Sequence, residues 1–146
     1  MKNISPKVVL WVNRFIFLLL VALLPAMPFI LFWYSHIRIL TATDYFVILA
    51  AFYICAVIAG IALWKIDQLL RNIIRSEVFI RKNVSHIRCI QWCCALVSLV
   101  CLPACFFYLP LVFMVVIMAF LSLVISVVVK TMEAAVEIRE ENDLTI

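Results

Sequence analysis

Four long apolar stretches, separated by polar segments, dominate the pattern of the chain. A membrane-spanning helix needs roughly 20 apolar residues, because about 30 Å of hydrocarbon is crossed at about 1.5 Å per residue. The first two stretches cover residues 15–34 and 45–64. The pattern therefore predicts two membrane-spanning helices in the first half of the chain.

The second half contains an uncharged run over residues 89–129. As a single helix this run would extend for roughly 60 Å, about twice the hydrocarbon thickness, so it must fold back. Pro103 and Pro110 flank the sequence ACFFYL, and proline disfavours helix in the residues before it. We predict a third span over residues 89–106 and a fourth over 111–129.

The polar segments also carry helical patterns. In the loop 65–88, apolar residues recur every three or four positions, which predicts that span two continues as an amphipathic helix. We expect an interruption near Ser76 and a second helical segment from about Ile80 into span three. The tail 130–146 is expected to continue span four as a helix. The predicted fold class is an all-α integral membrane protein, with one four-helix domain over residues 1–146.

The composition supports a membrane protein and limits its chemistry. Hydrophobic residues make up 68% of the chain and charged residues 14%, whereas soluble domains are near half and a quarter. No Asp, Glu, Lys, Arg or His lies deep within a predicted span, although ion-coupled transporters usually need such a group. This disfavours a proton-coupled pump. A small transporter or transporter subunit remains the alternative function, with Pro25 and Pro28 kinking span one beside a pathway.

The charge distribution predicts the orientation. Cytoplasmic loops are enriched in Lys and Arg, and these residues concentrate in the leader before span one and in the loop 65–88. Both termini and this loop are therefore expected in the cytoplasm. The four tryptophans fall at predicted span ends, as interfacial aromatic residues do.

Small residues indicate where the helices pack, because close approach holds helices together in lipid. Ala56 and Gly60 form a small-xxx-small pair in span two, and Ala119, Ser122 and Ser126 lie within span four. These positions are the expected contact faces.

The cysteines and histidines give no strong site. Five of the six cysteines lie on span three. Cys101 and Cys105 are four residues apart near its outer end, and thiol redox chemistry there is a less favoured alternative to simple packing. His36 and His86 fall on opposite sides of the membrane, and the basic neighbours of His86 should disfavour its protonation. We expect no catalytic site, cofactor or metal.

The loop and the tail are complementary in charge. Residues 65–88 hold six basic and two acidic residues, a net +4, and residues 130–143 hold two basic and five acidic, a net −3. Acidic groups at a helix C-terminus oppose the helix dipole and are repelled by the negative cytoplasmic leaflet. We therefore hypothesise that the tail docks on the loop of its own chain or of a neighbour. The interaction residues predicted on these two segments are Arg71, Arg75, Phe79, Arg81, Lys82, Asn83, Arg88, Glu137, Glu140, Glu141, Asn142 and Asp143.

Two segments resemble a known family. The mid-loop sequence F…NVSHIRCIQW, the C-terminal EIREENDLTI and four spans in about 150 residues resemble the bacterial membrane family called domain of unknown function 2975. The resemblance covers mainly residues 65–146, while spans one and two match only in hydropathy. The positions that match the family pattern are Phe79, Asn83, Ile87, Arg88 and Ile90, then Glu141, Asn142, Asp143, Leu144, Thr145 and Ile146.

The resemblance carries implications for location and partners. It implies a bacterial chain in the cytoplasmic (inner) membrane, and a membrane partner for a small helix-turn-helix regulator encoded nearby. Together with the charge pattern, it favours a non-enzymatic regulatory or interaction module that presents its basic loop and acidic tail to a cytoplasmic protein. Besides the lipid bilayer and this regulator, the expected partners include a second copy of the chain but no directly bound nucleic acid.

Overall fold

Four long α-helices make up the described part of the protein. The computed structural model describes residues 6–37, 41–75 and 80–144, with residues 6, 36, 37, 143 and 144 described by their backbone alone. The helices are α1 (Pro6–Ile37), α2 (Ala42–Ile74), α3 (Arg81–Ala104) and α4 (Leu111–Leu144). All four are long and apolar enough to cross a membrane, and the described residues contain no β-strand. The predicted all-α membrane fold is confirmed.

Three helices extend beyond their apolar segments, as the polar patterns predicted. α2 continues to Ile74, α3 begins at Arg81, and α4 runs through the tail to Leu144. α1 begins nearer the N-terminus than predicted, at Pro6, a residue whose fixed φ suits the first helical position. The start of α2 is stabilised because the Asp44 carboxylate accepts a hydrogen bond of 3.1 Å from the Thr41 N–H.

The helices form a row in chain order. In the described parts, each helix packs against the helix that follows it, and α1 forms no packing interface with α4. Successive helices run antiparallel: Asn13, near the start of α1, donates to the Leu63 carbonyl in the second half of α2. The order of the row places the end of α2, the beginning of α3 and the end of α4 side by side.

A proline in α1 explains one contact of the α1–α2 interface. Pro28 has no N–H, so it cannot donate to the Leu24 carbonyl one turn earlier. The Tyr53 hydroxyl on α2 donates to that carbonyl instead, at 3.1 Å. In hydrocarbon an unsatisfied carbonyl is costly, and polar side chains of neighbouring helices commonly satisfy carbonyls freed by proline. The contact satisfies the carbonyl that Pro28 leaves free, within a helix that continues through both Pro25 and Pro28.

We expect Tyr53→Phe to destabilise the α1–α2 interface by about 0.5–1.5 kcal/mol, because the Leu24 carbonyl loses its donor. Reversible unfolding in mixed detergent micelles would measure the loss. Tyr45→Phe removes a hydroxyl nearer the start of the same helix and serves as the matched control. Equal stability of both variants would contradict this account of the proline.

The small residues account for only part of the packing. Ala56 is buried, and the Ser122 hydroxyl donates to the Gln91 carbonyl on α3 at 3.2 Å. Gly60, however, has no atom within 4 Å of an added Cβ, and Ala119 is exposed. The predicted contact at these two positions is wrong, because small size permits close approach without requiring it. Apolar contact between α3 and α4 instead centres on a cluster of Val84, Val129 and Val136.

Candidate functional site

Charged side chains meet at one end of the helix row, called here the charged end. It is formed by the last turns of α2, the first turns of α3 and the last turns of α4. These turns lie outside the four apolar segments and adjoin because successive helices are antiparallel. The basic residues of the loop and the acidic residues of the tail therefore belong to one surface.

Two ion pairs join α3 to α4 at this end. The Arg81 guanidinium donates to both carboxylate oxygens of Glu140, with Nε–Oε1 at 2.8 Å and Nη2–Oε2 at 2.5 Å. Arg88 pairs with Glu133. In each helix the two partners are seven residues apart, which is about two turns, so both pairs form on one antiparallel interface. The tail thus pairs with the loop of its own chain.

The Arg81–Glu140 pair affects the titration of both groups. Hydrogen bonds from Arg81 lower the pKa of Glu140, and the same bonds raise the pKa of Arg81. Since the Glu140 pKa is lowered in the folded chain, the contribution of the pair is present above the ordinary pKa of glutamate. It is lost as the pH falls through the lowered value. Because both groups are exposed, the pair contributes little to stability and can exchange with other ions.

A groove of about 430 Å³ lies between α3 and α4, beside the two ion pairs. Val84 and Val136, both buried, contribute an apolar floor, and Ser85 is exposed beside it. Glu137 lines the groove with three of the ion-paired residues, Arg81, Arg88 and Glu133. The groove therefore offers apolar contact together with both signs of charge.

Part of the predicted surface faces elsewhere. Arg71 pairs with Asp67 at 2.7 Å, and Asp67 also accepts a hydrogen bond of 3.3 Å from Arg14 on α1. Arg75 and Lys82 line a separate cavity between α2 and α3. Among the described residues, none of these three basic residues pairs with a tail carboxylate, because helical periodicity points them away from α4.

The remaining predicted residues have different positions. Asn83 is completely buried and accepts a hydrogen bond of 2.7 Å from the Asn72 side chain on α2. Glu141 and Asn142 are on the exposed last turns of α4, and each has a non-covalent interaction partner. Phe79 and the side chain of Asp143 lie outside the described residues.

His86 is the residue that sequence reasoning missed. It lies on α3, is buried, and lines the cavity with Lys82, four residues earlier. The four-residue spacing on a helix was the available signal, because it puts both side chains on one face. A net charge counted over the whole loop does not separate the faces of its helices.

Cys101 lies beside a sulfur atom of another helix. Cys101 Sγ is 3.7 Å from Cys55 Sγ on α2, whereas Cys105 Sγ donates to the Cys101 carbonyl. All six cysteines are free thiols. The neighbouring sulfur of Cys101 is therefore on another helix, which spacing along α3 could not show.

A cavity within the apolar segments bears on transport. It has a volume of about 310 Å³ and is lined by apolar side chains from all four helices, including Leu20, Ala59, Val97 and Met118. This lining offers no charged group to an ion, so the cavity gives no support to an ion pathway.

A family model described as "Protein of unknown function (DUF2975)" matches residues 34–146. The match begins before span two, so it covers more of the chain than the resemblance of the loop and tail indicated. No curated protein and no solved structure was found to match the chain.

Proposed function

Since this chain belongs to DUF2975, a family described as proteins of unknown function, we propose its function from its own charged end. The protein acts as a non-enzymatic interaction module in a bacterial cytoplasmic membrane, with both termini and the charged end in the cytoplasm. Its partner is a cytoplasmic protein, such as the small helix-turn-helix regulator that the family resemblance implies.

Two exposed ion pairs, Arg81–Glu140 and Arg88–Glu133, lie beside the groove between α3 and α4 and are the observation that supports the proposal. Arg81 and Arg88 hold carboxylates of their own tail, so they can equally hold carboxylates of a partner. Exposed pairs contribute little and exchange readily. A partner with acidic side chains and an apolar face can therefore displace the tail carboxylates and occupy the groove.

The apolar floor explains why the tail remains in place while its charges exchange. Val84 and Val136 are buried between α3 and α4, in an apolar cluster with Val129. The arginines can then be released without separating the helices. In this function the tail carboxylates occupy the partner's site until the partner binds.

The test uses a photocrosslinking amino acid in place of Ser85, which is exposed in the groove. In native membranes we expect a discrete protein adduct at this position, identified by mass spectrometry as a small DNA-binding protein. The control position is Phe120, which is exposed within the apolar segment of α4 and should label lipid.

Charge variants make the test specific. Arg81→Glu with Arg88→Glu should abolish the adduct, because a partner carboxylate is then repelled. Adding Glu133→Arg and Glu140→Arg restores the internal pairs with reversed polarity. Protease protection of the tail should persist in both variants, because the buried valines hold the tail in place, while the adduct stays absent. An unchanged adduct in all variants, or lipid adducts alone at Ser85, would refute the proposed function.

A further inference from the structure

The second cavity at the charged end lies between α2 and α3, on a different face of α3 from the groove. Its volume is about 170 Å³, several times the roughly 30 Å³ of one water molecule in the liquid. Six polar or charged residues line it: Gln68, Arg71, Asn72, Arg75, Lys82 and His86.

Helical spacing brings these residues together. The four residues from α2 are separated by intervals of three, one and three, which places them on one stripe of that helix. Lys82 and His86 are four apart on α3 and form the facing stripe. Asn72 also donates to the buried Asn83, at 2.7 Å, which fixes the two helices beside the cavity. The side chains that line the cavity are therefore held in position by two helices that pack against each other.

The cavity has an excess of positive charge. Arg71 pairs with Asp67 through one nitrogen, at 2.7 Å, and its guanidinium retains other N–H donors. Within the described residues, neither Arg75 nor Lys82 has a carboxylate within 4.0 Å. Lys82 is also in the first turn of α3, where the helix dipole favours an anion.

His86 provides an independent observation. Only 6% of its surface is exposed, and among the described residues its buried Nε2 has no hydrogen-bond partner. Burial lowers the pKa of His86, and the charges of Lys65 and Lys82 lower it further. A neutral imidazole can still donate one hydrogen bond. A buried polar atom without a partner is costly, and an anion in the cavity would satisfy it.

From this arrangement we propose that the cavity between α2 and α3 binds a phosphate group. Guanidinium, ammonium, amide and imidazole donors converge on it, and arginine forks match phosphate geometry. The phosphate belongs either to an anionic lipid headgroup or to a soluble phosphate compound. The inference does not rest on the proposed function, because the groove and this cavity occupy different faces of α3.

The experiment observes the His86 ring in the full-length chain. His36 and His86 are the only histidines, so ¹⁵N-histidine labelling with His36→Gln leaves one ring to follow by NMR. In a phosphate-free detergent, inorganic phosphate is titrated at constant ionic strength against chloride. In a second arm, nanodiscs of phosphatidylglycerol are compared with nanodiscs of phosphatidylcholine.

The two arms distinguish the sources of phosphate. A saturable shift of the His86 ring nitrogens with inorganic phosphate indicates a soluble ligand. A shift already present in phosphatidylglycerol, to which inorganic phosphate adds nothing, indicates a lipid headgroup. The proposal is overturned when the ring shows no shift in either arm.

Two double variants of equal charge provide the matched control. Arg75→Ala with Lys82→Ala should weaken phosphate binding by at least about tenfold, since two charge-assisted hydrogen bonds are lost. Arg81→Ala with Arg88→Ala removes the same charge from the groove face, and should change binding by less than about threefold. All four side chains are exposed, so both variants should fold, which circular dichroism checks. Equal weakening by the two variants would show general charge attraction and would overturn the cavity as the site.

Discussion

Asn83→Ala is expected to lower the free energy of unfolding by about 1–3 kcal/mol, because it leaves the Asn72 donor without its buried acceptor. Asn83 is completely buried, and its side-chain oxygen accepts the 2.7 Å bond from Asn72 that joins α2 to α3. Reversible unfolding in mixed detergent micelles measures the effect. Ser85→Ala, at an exposed position of the same helix end, should change stability by less than about 0.5 kcal/mol.

A double-mutant cycle isolates this bond from the other contacts of the two residues. If Asn72 and Asn83 stabilise each other, the loss in Asn72→Ala with Asn83→Ala is smaller than the sum of the single losses. Additive losses would mean that the hydrogen bond contributes nothing. Other contacts would then have to hold α3 against α2 beside the phosphate cavity.

Val136→Asp is expected to detach the last turns of α4 from α3. Val136 is 4% exposed and packs in the cluster with Val84 and Val129. Burying a valine side chain contributes about 1.5–3 kcal/mol, and an unpaired carboxylate in its place adds a desolvation cost. Hydrogen exchange of the amides in residues 137–142 should therefore increase strongly in this variant.

Two controls separate apolar packing from charge. Ile138→Asp makes the same substitution two residues away at a position that is 60% exposed, and it should leave exchange nearly unchanged. Glu140→Gln removes the carboxylate charge that Arg81 holds, and it should have a much smaller effect than Val136→Asp because that pair is exposed. A larger effect from Glu140→Gln would mean that charge, not apolar packing, holds the tail.

Apolar packing and charge have different roles in holding the tail against α3. Charge complementarity between residues 65–88 and 130–143 correctly indicated that loop and tail meet. The valine cluster, however, has the larger capacity to stabilise the contact, and the exposed ion pairs determine which residues face each other. This division allows the charges to respond to a partner without unfolding the helix.

Much of the charged end follows from helical periodicity. The seven-residue spacing of Arg81 and Arg88 matches that of Glu133 and Glu140, and both could be read from the chain. The net charge of the whole loop does not show that Lys82 faces the cavity between α2 and α3 and not α4. Periodicity alone could not show that Asn83 is buried or that His86 Nε2 has no hydrogen-bond partner among the described residues, because burial depends on which neighbouring helix covers a face.

The sequence by itself determined the membrane class, the number of helices, the turn near Pro103 and Pro110, and the helical extensions of α2 and α4. These features follow from run length, three-to-four spacing and the missing N–H of proline, all of which are local properties. Tertiary structure alone decided that the helices form an open row, that Cys101 lies beside Cys55, and that the charged end divides into a groove and a cavity. The reason is that an apolar helix in lipid has no single preferred face, so its neighbours are chosen by side-chain fit and by the few available hydrogen bonds.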